Sequence, residues 1–280
     1  MAINYDEKII SKLVNKALED KKLFYKKTID KLYEKAGKTL LVNLRGKNNK
    51  YNDMVVKELL DGEKYKKLLN GITCDSLKNS KDEIYNINRK NHYYYKGIKK
   101  EKINEKRFAI CFYNKEEENN VLGKRLHYET PISRTKKDGA IDLVYQKDNY
   151  INLIEFKNDP SDETLLRALL EISTYFKNLD QGIFKREFKC DKKFQLVLLL
   201  ENGTISNNQS KNLTENYERL FEGFANLLKC PIQICGFKKM IGNREFDKKI
   251  DKIIVDKIET KPILKDIEFE VEVIQQFFPK

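Results

Sequence analysis

The spacing of apolar residues divides the chain into a helical first part and a mixed second part. Apolar residues recur every three or four positions over residues 5–36 and again over residues 51–69, which predicts helices there. Residues 38–44 between them fit a short strand, and residues 75–102 are polar and weakly periodic. The pattern therefore predicts a mainly helical N-terminal region over residues 1–102.

From residue 103 onward the pattern predicts helices that alternate with strands. The run from Phe194 to Leu200 is apolar at nearly every position, which is typical of a strand covered on both faces. The predicted order is helix, three strands, helix, strand, helix and strand, over residues 103–117, 127–132, 139–146, 150–157, 159–176, 194–200, 213–227 and 232–237. We therefore expect an α/β fold, with a mixed sheet flanked by helices, over residues 103–245. Residues 246–280 form a C-terminal extension, and the pattern does not place its predicted strand at 269–274 in the sheet.

Positive charge is concentrated in the first part of the chain. Of a formal net charge of +12, residues 1–100 carry +11, from 24 lysines and arginines against 13 acidic residues. A basic region beside a nearly neutral one indicates an anionic partner, most often nucleic acid. A composition rich in lysine, asparagine, isoleucine and tyrosine is the alternative explanation of the same charge.

One polar segment of this region interleaves aromatic and basic side chains. Such side chains can stack on bases and neutralise phosphates, so the segment is a candidate nucleic-acid-binding element. The alternative is a linker whose tyrosines cover the edge of a domain. The candidate binding residues are Tyr93, Tyr94, Lys96, Lys99 and Lys100.

The sequence holds neither a membrane-spanning run nor a secretion signal. No stretch approaches the roughly 20 consecutive apolar residues that a spanning helix needs, and the charged start of the chain lacks an apolar signal segment. The five cysteines are scattered, and no second pair or histidine cluster joins Cys230 and Cys235 into a zinc site. We expect a cytoplasmic protein with free thiols and no membrane partner.

Charged residues interrupt two predicted strands that are otherwise apolar. Asp142 interrupts one strand, and Glu155 and Lys157 lie two residues apart, on one face of the next. If the turn between the strands is Asp148-Asn149, the two carboxylates lie directly opposite each other. If the turn is one residue earlier, they are diagonal neighbours on the same face. The separations are about 5 Å and about 7–8 Å respectively, and either allows a shared divalent ion.

Two carboxylates without histidine or cysteine favour Mg²⁺ or Mn²⁺ over zinc. An ion held by Asp142 and Glu155 can orient and acidify a water that attacks a phosphodiester, and it can offset negative charge in the transition state. Lys157, on the same face, can hydrogen-bond that water or a phosphate oxygen, or act as the catalytic base. The competing interpretation is a surface ion pair between Glu155 and Lys157 beside an unrelated Asp142.

Asp142, followed after a short gap by Glu155-Phe156-Lys157, resembles the PD-(D/E)xK nuclease superfamily, which has a restriction-endonuclease-like fold. The resemblance covers about residues 104–237. It includes an upstream helix, a Gly-x-x-Asp opening of the first hairpin strand, and a helix after the acid-x-Lys strand. It implies that the first acid and the acid-x-Lys triplet lie on adjacent strands and form one metal-dependent catalytic site.

The resemblance also implies a further metal ligand on the first core helix. Glu105 fits best, because it shares a predicted helical face with Phe108 and Phe112 and would point toward the sheet. The alternative for Glu105 is an acid that only favours the N-terminus of the helix dipole. Glu116–Glu118, near the end of that helix, are rivals, and Glu129 is a residue that would border the site instead.

RecB-like members of the superfamily carry a Gln-x-x-x-Tyr pair on the helix after the acid-x-Lys strand. The matching positions here are Glu171 and Tyr175, so the tyrosine matches and the glutamine does not. Glu171 is expected to pair with Arg167 or Lys157. The Asp159–Pro160 pair predicts the start of this helix, with the aspartate as N-cap and the proline at the first helical position.

These features predict a Mg²⁺-dependent nuclease that hydrolyses phosphodiester bonds, with DNA as the expected substrate. Phage defence, restriction or DNA processing would use such an activity, and a homodimer would allow both strands of a duplex to be cut. The rival is a catalytically inactive nucleic-acid-binding protein that keeps the fold, and a third interpretation makes residues 1–100 a protein–protein module. The expected catalytic residues are Asp142, Glu155, Lys157, Glu171 and Tyr175, and the expected metal ligands are Glu105, Asp142 and Glu155.

Overall fold

The computed structural model of the protein describes residues 7–19, 50–70, 109, 112–113, 118–132, 139–157, 163–202, 204–239 and 269–280. Its helices are α1 (Glu7–Glu19), α2 (Lys50–Leu60), α3 (Lys64–Asn70), α4 (Leu165–Asn178), α5 (Gln181–Glu187), α6 (Ile205–Lys211) and α7 (Glu215–Leu228), with a 3₁₀ turn at Asp61–Glu63 between α2 and α3. Its strands are β1 (Glu118–Asn119), β2 (Gly123–Pro131), β3 (Ala140–Lys147), β4 (Tyr150–Lys157), β5 (Lys193–Leu200), β6 (Ile232–Lys239) and β7 (Glu270–Phe277).

The strands form one seven-stranded sheet in which they lie in chain order. β2, β3 and β4 are antiparallel neighbours, β4, β5 and β6 run parallel, and β7 is antiparallel to β6. Parallel neighbours need a crossover connection, which α4 and α5 supply between β4 and β5, and α6 and α7 supply between β5 and β6. The predicted α/β fold with a mixed sheet and helices is confirmed.

The middle strands of the sheet are covered on both faces. Alternate apolar residues of the run from Phe194 to Leu200 belong to two hydrophobic clusters on opposite faces. The first cluster includes the inner sides of α4 and α7. In the second, the ring of Phe112 packs against those of Tyr145 and Phe269, with centroid distances of 5.9 and 5.2 Å. β5 is therefore apolar along its length because both of its faces are covered, as the sequence predicts.

The described N-terminal helices pack on α7 and share the first hydrophobic cluster. Tyr65 of α3 stacks on Phe224 of α7, with ring centroids 5.6 Å apart. A Cβ on Gly223 would lie 2.8 Å from the Tyr65 ring, so this close approach depends on glycine. On α2, Asp53 Oδ2 accepts a 3.0 Å hydrogen bond from Asn216 Nδ2. The helices predicted here are confirmed over residues 7–19 and 50–70, and they contact the sheet domain through apolar and polar groups.

Two elements begin well away from their predicted starts. α4 begins at Leu165, so the start predicted at Asp159–Pro160 is wrong for this helix; those two residues lie outside the described ranges. Thr164 is the N-cap instead, because its hydroxyl accepts a 3.3 Å hydrogen bond from the backbone N–H of Arg167. β2 begins at Gly123, earlier than the predicted 127. The sequence pattern also did not predict α5 or α6.

The C-terminal strand lies beside β6. β7 pairs with β6 in antiparallel register from Glu270 to Phe277, and Phe277 lies opposite Ile232. The strand predicted at 269–274 is therefore confirmed. The strand lies at one end of the strand order. The sequence pattern did not assign it a neighbour.

Several sequence predictions concern residues outside the described ranges. They are the strand at 38–44, most of the helix at 103–117, the domain bounds near 102 and 245, the metal ligand Glu105, and the nucleic-acid-binding residues Tyr93, Tyr94, Lys96, Lys99 and Lys100. Among the described helices, none has the length and apolar character needed to cross a membrane.

Cys230 and Cys235 lie on opposite sides of the sheet. Cys230 belongs to the cluster under the helices, and Cys235 belongs to the aromatic cluster on the other face. Burial raises the pKa of each thiol to about 12, so both stay neutral at physiological pH. The sheet between them prevents the two sulfur atoms from binding one metal ion.

We expect Phe224→Ala to lower the free energy of unfolding by about 3–5 kcal/mol, because it removes a fully buried ring and the stacking partner of Tyr65. Urea unfolding followed by circular dichroism measures this loss. Phe278→Ala is the matched control, since the Phe278 side chain is 55% exposed and should contribute little. Equal losses for the two variants would contradict the packing of α3 on α7.

Candidate active site

The candidate site lies where β3 and β4 separate. Their residues pair from Lys147↔Tyr150 to Leu143↔Ile154, which places Asp142 opposite Glu155 at the next position. The first of the two predicted registers is therefore confirmed, and the diagonal register is wrong. Beyond the last backbone pair, Asp142 Oδ2 accepts a 2.9 Å hydrogen bond from the backbone N–H of Phe156. The Asp142 side chain thus links β3 to β4 at a point where the two backbones no longer pair.

Glu155 and Lys157 share the face of β4 that is covered by helices. Leu153 belongs to the cluster on this face, whereas Ile154 and Phe156 belong to the aromatic cluster on the other face. The side chains of Glu155 and Lys157 are only 4% and 3% exposed. A charged pair this deep contradicts the alternative of a surface ion pair, and each charge needs compensation from the protein.

Among the described residues, three carboxylates lie close to the Lys157 ammonium. Its Nζ donates hydrogen bonds of 2.7 Å to Glu155 and 3.0 Å to Glu171. It also forms a 2.7 Å ion pair with Glu163 Oε2. Such an environment attracts positive charge, which fits an ammonium that holds ligands in place better than it fits a neutral base.

Glu171 and Tyr175 reach the site from one face of α4. The Tyr175 hydroxyl donates a 3.0 Å hydrogen bond to Glu171 Oε1, and Glu171 Oε2 bonds Lys157. Of the two partners predicted for Glu171, the structure therefore shows Lys157. Gly139 stands against the Tyr175 ring with a φ of +104°, and a Cβ there would lie 2.6 Å from a ring carbon. Glycine at this position is what lets the ring approach the start of β3.

Sequence reasoning missed one member of the site, Glu163, and it named Arg167 only as a possible partner of Glu171. Glu163 Oε1 lies 2.9 Å from Arg167 Nε, while its other oxygen meets Lys157. A signal for Glu163 was present, because Glu163, Arg167, Glu171 and Tyr175 follow one another at intervals of four residues.

The described side chains of the site carry an excess of negative charge. Among the described residues, four acidic and two basic side chains come together, and these six have a formal sum of −2; they are Asp142, Glu155, Glu163, Glu171, Lys157 and Arg167. Excess negative charge near a buried lysine favours the entry of a cation.

The donor chemistry of Asp142 and Glu155 suits a hard divalent ion. Mg²⁺ prefers oxygen ligands, and it is often bound by one or two carboxylates while it keeps several waters. Among the described residues, no group of three or more His, Cys, Asp and Glu side chains is arranged to hold a metal ion. Asp142 and Glu155 are the described carboxylates whose chemistry would suit such an ion, and Glu105, the predicted third ligand, lies outside the described ranges.

Glu129 occupies the strand next to the site. The pairs Tyr128↔Leu143 and Thr130↔Ile141 place it opposite Asp142 on β2. Its φ of +46° is uncommon for a residue with a side chain and marks a local irregularity of the strand. This position borders the site, as the sequence analysis expected of Glu129.

No protein-family model, curated protein or solved structure matches the chain. An activity must therefore be argued from the geometry of the site.

We expect Lys157→Met to destabilise the protein by about 3–5 kcal/mol, because it leaves buried carboxylates without their cation. Urea unfolding of this variant, of Glu155→Gln and of the double variant gives the coupling between the two residues. The double variant should lose less than the sum of the single losses. Lys185→Met is the control, since its partner Asp191 is 97% exposed. Additive losses would show that the two buried charges do not depend on each other.

Proposed function

We propose that the protein is a metal-dependent nuclease of the PD-(D/E)xK type that hydrolyses phosphodiester bonds of DNA. The observation that carries this proposal is the position of Asp142 opposite Glu155 on adjacent strands, with Lys157 on the same face as Glu155. Two hard oxygen donors can bind a metal ion, and a fixed ammonium beside them can bind the attacking water or the phosphate.

The order of elements around the site supports the same proposal. The first acid lies on β3, and the acid-x-Lys triplet lies on its antiparallel neighbour β4. α4 follows and delivers Glu171 and Tyr175 to the lysine, and the chain then returns as β5, parallel to β4. This is the arrangement that the resemblance implied for adjacent strands and the helix after them.

Each residue of the site has a defined task in hydrolysis. A divalent ion bound to Asp142 and Glu155 would acidify the attacking water and offset negative charge on the phosphate. The water oxygen bonds to phosphorus and gives up one proton to solvent, the bond from phosphorus to the leaving oxygen breaks, and the leaving oxygen takes up one proton from solvent. Lys157 orients the water or a phosphate oxygen through its N–H groups. Glu171, held by the Tyr175 hydroxyl, fixes the direction of the lysine side chain.

The basic N-terminal part of the chain would supply general affinity for nucleic acid. Residues 1–100 hold +11 of the net charge of +12. The described residues 7–19 and 50–70 contain eight lysines and six acidic residues, so most of the excess belongs to the rest of this region. Tyr93, Tyr94, Lys96, Lys99 and Lys100 are the proposed contacts to bases and phosphates.

One observation favours a second candidate, a protein that binds nucleic acid without cutting it. Glu171 stands where RecB-like nucleases carry glutamine, and it adds a carboxylate to Lys157. An ammonium held by three carboxylates has to give up a partner before it can bind a phosphate. Metal-dependent cleavage separates the two candidates.

Asp142→Asn and Glu155→Gln should abolish cleavage of circular and linear DNA in Mg²⁺ or Mn²⁺, while wild-type cleavage should stop in EDTA. Each amide keeps an oxygen that can accept the hydrogen bond seen here, from Phe156 N–H or from Lys157, so the fold should persist. Lys157→Ala should slow cleavage roughly 10²-fold, measured below its melting temperature. Gel electrophoresis of time courses measures all of these rates.

Asp148→Asn is the matched control for Asp142→Asn. Asp148 lies in the turn of the same hairpin at a φ of +48°, which asparagine tolerates. The Asp148→Asn variant should cleave DNA at the wild-type rate. Undiminished cleavage by Asp142→Asn would refute the proposed site. If wild-type protein binds DNA but does not cut it in either ion, the non-catalytic candidate holds instead.

Lys96→Gln, Lys99→Gln and Lys100→Gln together should flatten the salt dependence of DNA binding. Each phosphate contact contributes about −0.9 to the slope of log K against log salt on duplex DNA, so loss of three contacts should reduce its size by about 2.7. Fluorescence anisotropy across salt concentrations gives the slopes. The control changes the exposed Lys124, Lys189 and Lys193 in the same way. Equal slopes for the two triple variants would exclude the segment from binding.

A further inference from the structure

Glu163 is held between the two basic groups of the site. Its Oε2 lies 2.7 Å from Lys157 Nζ, and its Oε1 lies 2.9 Å from Arg167 Nε. One carboxylate therefore uses both of its oxygens on two different cations. Two cations that grip one oxyanion are the arrangement by which proteins also bind phosphate groups.

The three carboxylates around Lys157 differ in depth. The side chain of Glu155 is 4% exposed and that of Glu171 is 12% exposed, whereas that of Glu163 is 28% exposed. Arg167 is 24% exposed, so Glu163 and Arg167 together form the outer wall of the site. Of the three carboxylates around Lys157, Glu163 is therefore the one most accessible from solution.

Glu163 is also the carboxylate that is least fixed by secondary structure. Glu155 lies within β4 and Glu171 within α4, whereas Glu163 precedes Thr164, the N-cap of α4. The backbone N–H groups of Leu165 and Arg167 already donate to Gln209 and Thr164. An anion at this place would therefore be bound mainly by the side chains of Lys157 and Arg167.

Electrostatics opposes the entry of a phosphodiester while Glu163 is in place. The formal charge of −2 on the six side chains repels an anion, and both cations are already paired with carboxylates. If a phosphodiester replaced the Glu163 carboxylate, each cation would exchange one oxyanion for another. The number of ion pairs would then stay the same while the carboxylate moved to water.

We propose that Lys157 and Arg167 form the subsite for the scissile phosphodiester of DNA, and that Glu163 occupies this subsite until substrate displaces it. Glu163 is then a built-in competitor, and Arg167 is a phosphate-binding residue. This inference rests on the proposed nuclease function, because it assigns the substrate contact of the same site.

The test measures DNA binding without cleavage. A short fluorescent oligodeoxynucleotide is titrated in EDTA with wild-type protein, Glu163→Gln, Glu163→Asp, Arg167→Gln and the double variant Glu163→Gln/Arg167→Gln. Glu163→Gln should bind about 10-fold more tightly, since it removes the competing charge. Glu163→Asp keeps the charge but shortens the side chain, so its affinity should lie between those of wild type and Glu163→Gln. The double variant should lose the increase in DNA affinity that Glu163→Gln produces.

Glu218→Gln and Arg219→Gln are the matched controls. Both residues are exposed on α7. Their substitutions change the net charge of the protein by the same amounts as Glu163→Gln and Arg167→Gln do. The proposal would be overturned if Glu163→Gln bound the oligodeoxynucleotide no more tightly than Glu218→Gln. It would also be overturned if the double variant Glu163→Gln/Arg167→Gln bound as tightly as Glu163→Gln. Thermal unfolding of each variant identifies a purely structural effect, which would lower stability without tightening binding.

The outcome is separable from that of the nuclease proposal. If Glu163→Gln tightens binding through Arg167 but wild-type protein never cuts DNA, the subsite stands and the nuclease proposal fails. If Asp142-dependent cleavage is present but the Glu163 and Arg167 variants bind like their controls, the nuclease proposal stands and the subsite is refuted.

Discussion

The Lys157 ammonium lies at the end of a strand whose other side chains are almost entirely removed from water, and the arrangement of the site follows from the need to compensate that charge. One carboxylate comes from two residues earlier in β4, a second comes from α4, and a third comes from the residue that precedes the N-cap of α4. Because an unpaired buried charge costs several kcal/mol, α4 must dock where its acidic side chain meets the lysine. The Tyr175 hydroxyl and the bare backbone of Gly139 then fix how closely the helix approaches the sheet.

The parts of this arrangement that depend on local sequence could be predicted. The two turn residues Asp148 and Asn149 set the register of the hairpin, and that register brings Asp142 opposite Glu155. The apolar run of β5 predicted a strand covered on both faces, because a strand of that kind cannot turn either face to water. Four-residue spacing on a helix predicted that Glu171 and Tyr175 would share a face.

Other parts depend on interactions that a hydrophobic pattern does not record. α6 consists largely of polar residues, yet Ser206, Asn207 and Gln209 are buried, so apolar spacing could not reveal it. The N-cap of α4 was misplaced because Asp159–Pro160 is a common way to start a helix, and only the structure shows that Thr164 makes the capping bond. Glu163 escaped notice because its contact with Lys157 is set by how α4 packs on the sheet. β7 needed a neighbour that its own sequence does not specify.

β7 has a consequence for how the chain folds as it is made. It contributes Phe277 to the cluster under the helices and Val271 to the aromatic cluster, so both faces of the sheet gain apolar cover from it. Synthesis reaches β7 only after all the other described strands. Until then β6 is an edge strand, and its open backbone groups can pair with another chain. A nascent or truncated chain that lacks β7 would therefore be prone to aggregate through β6.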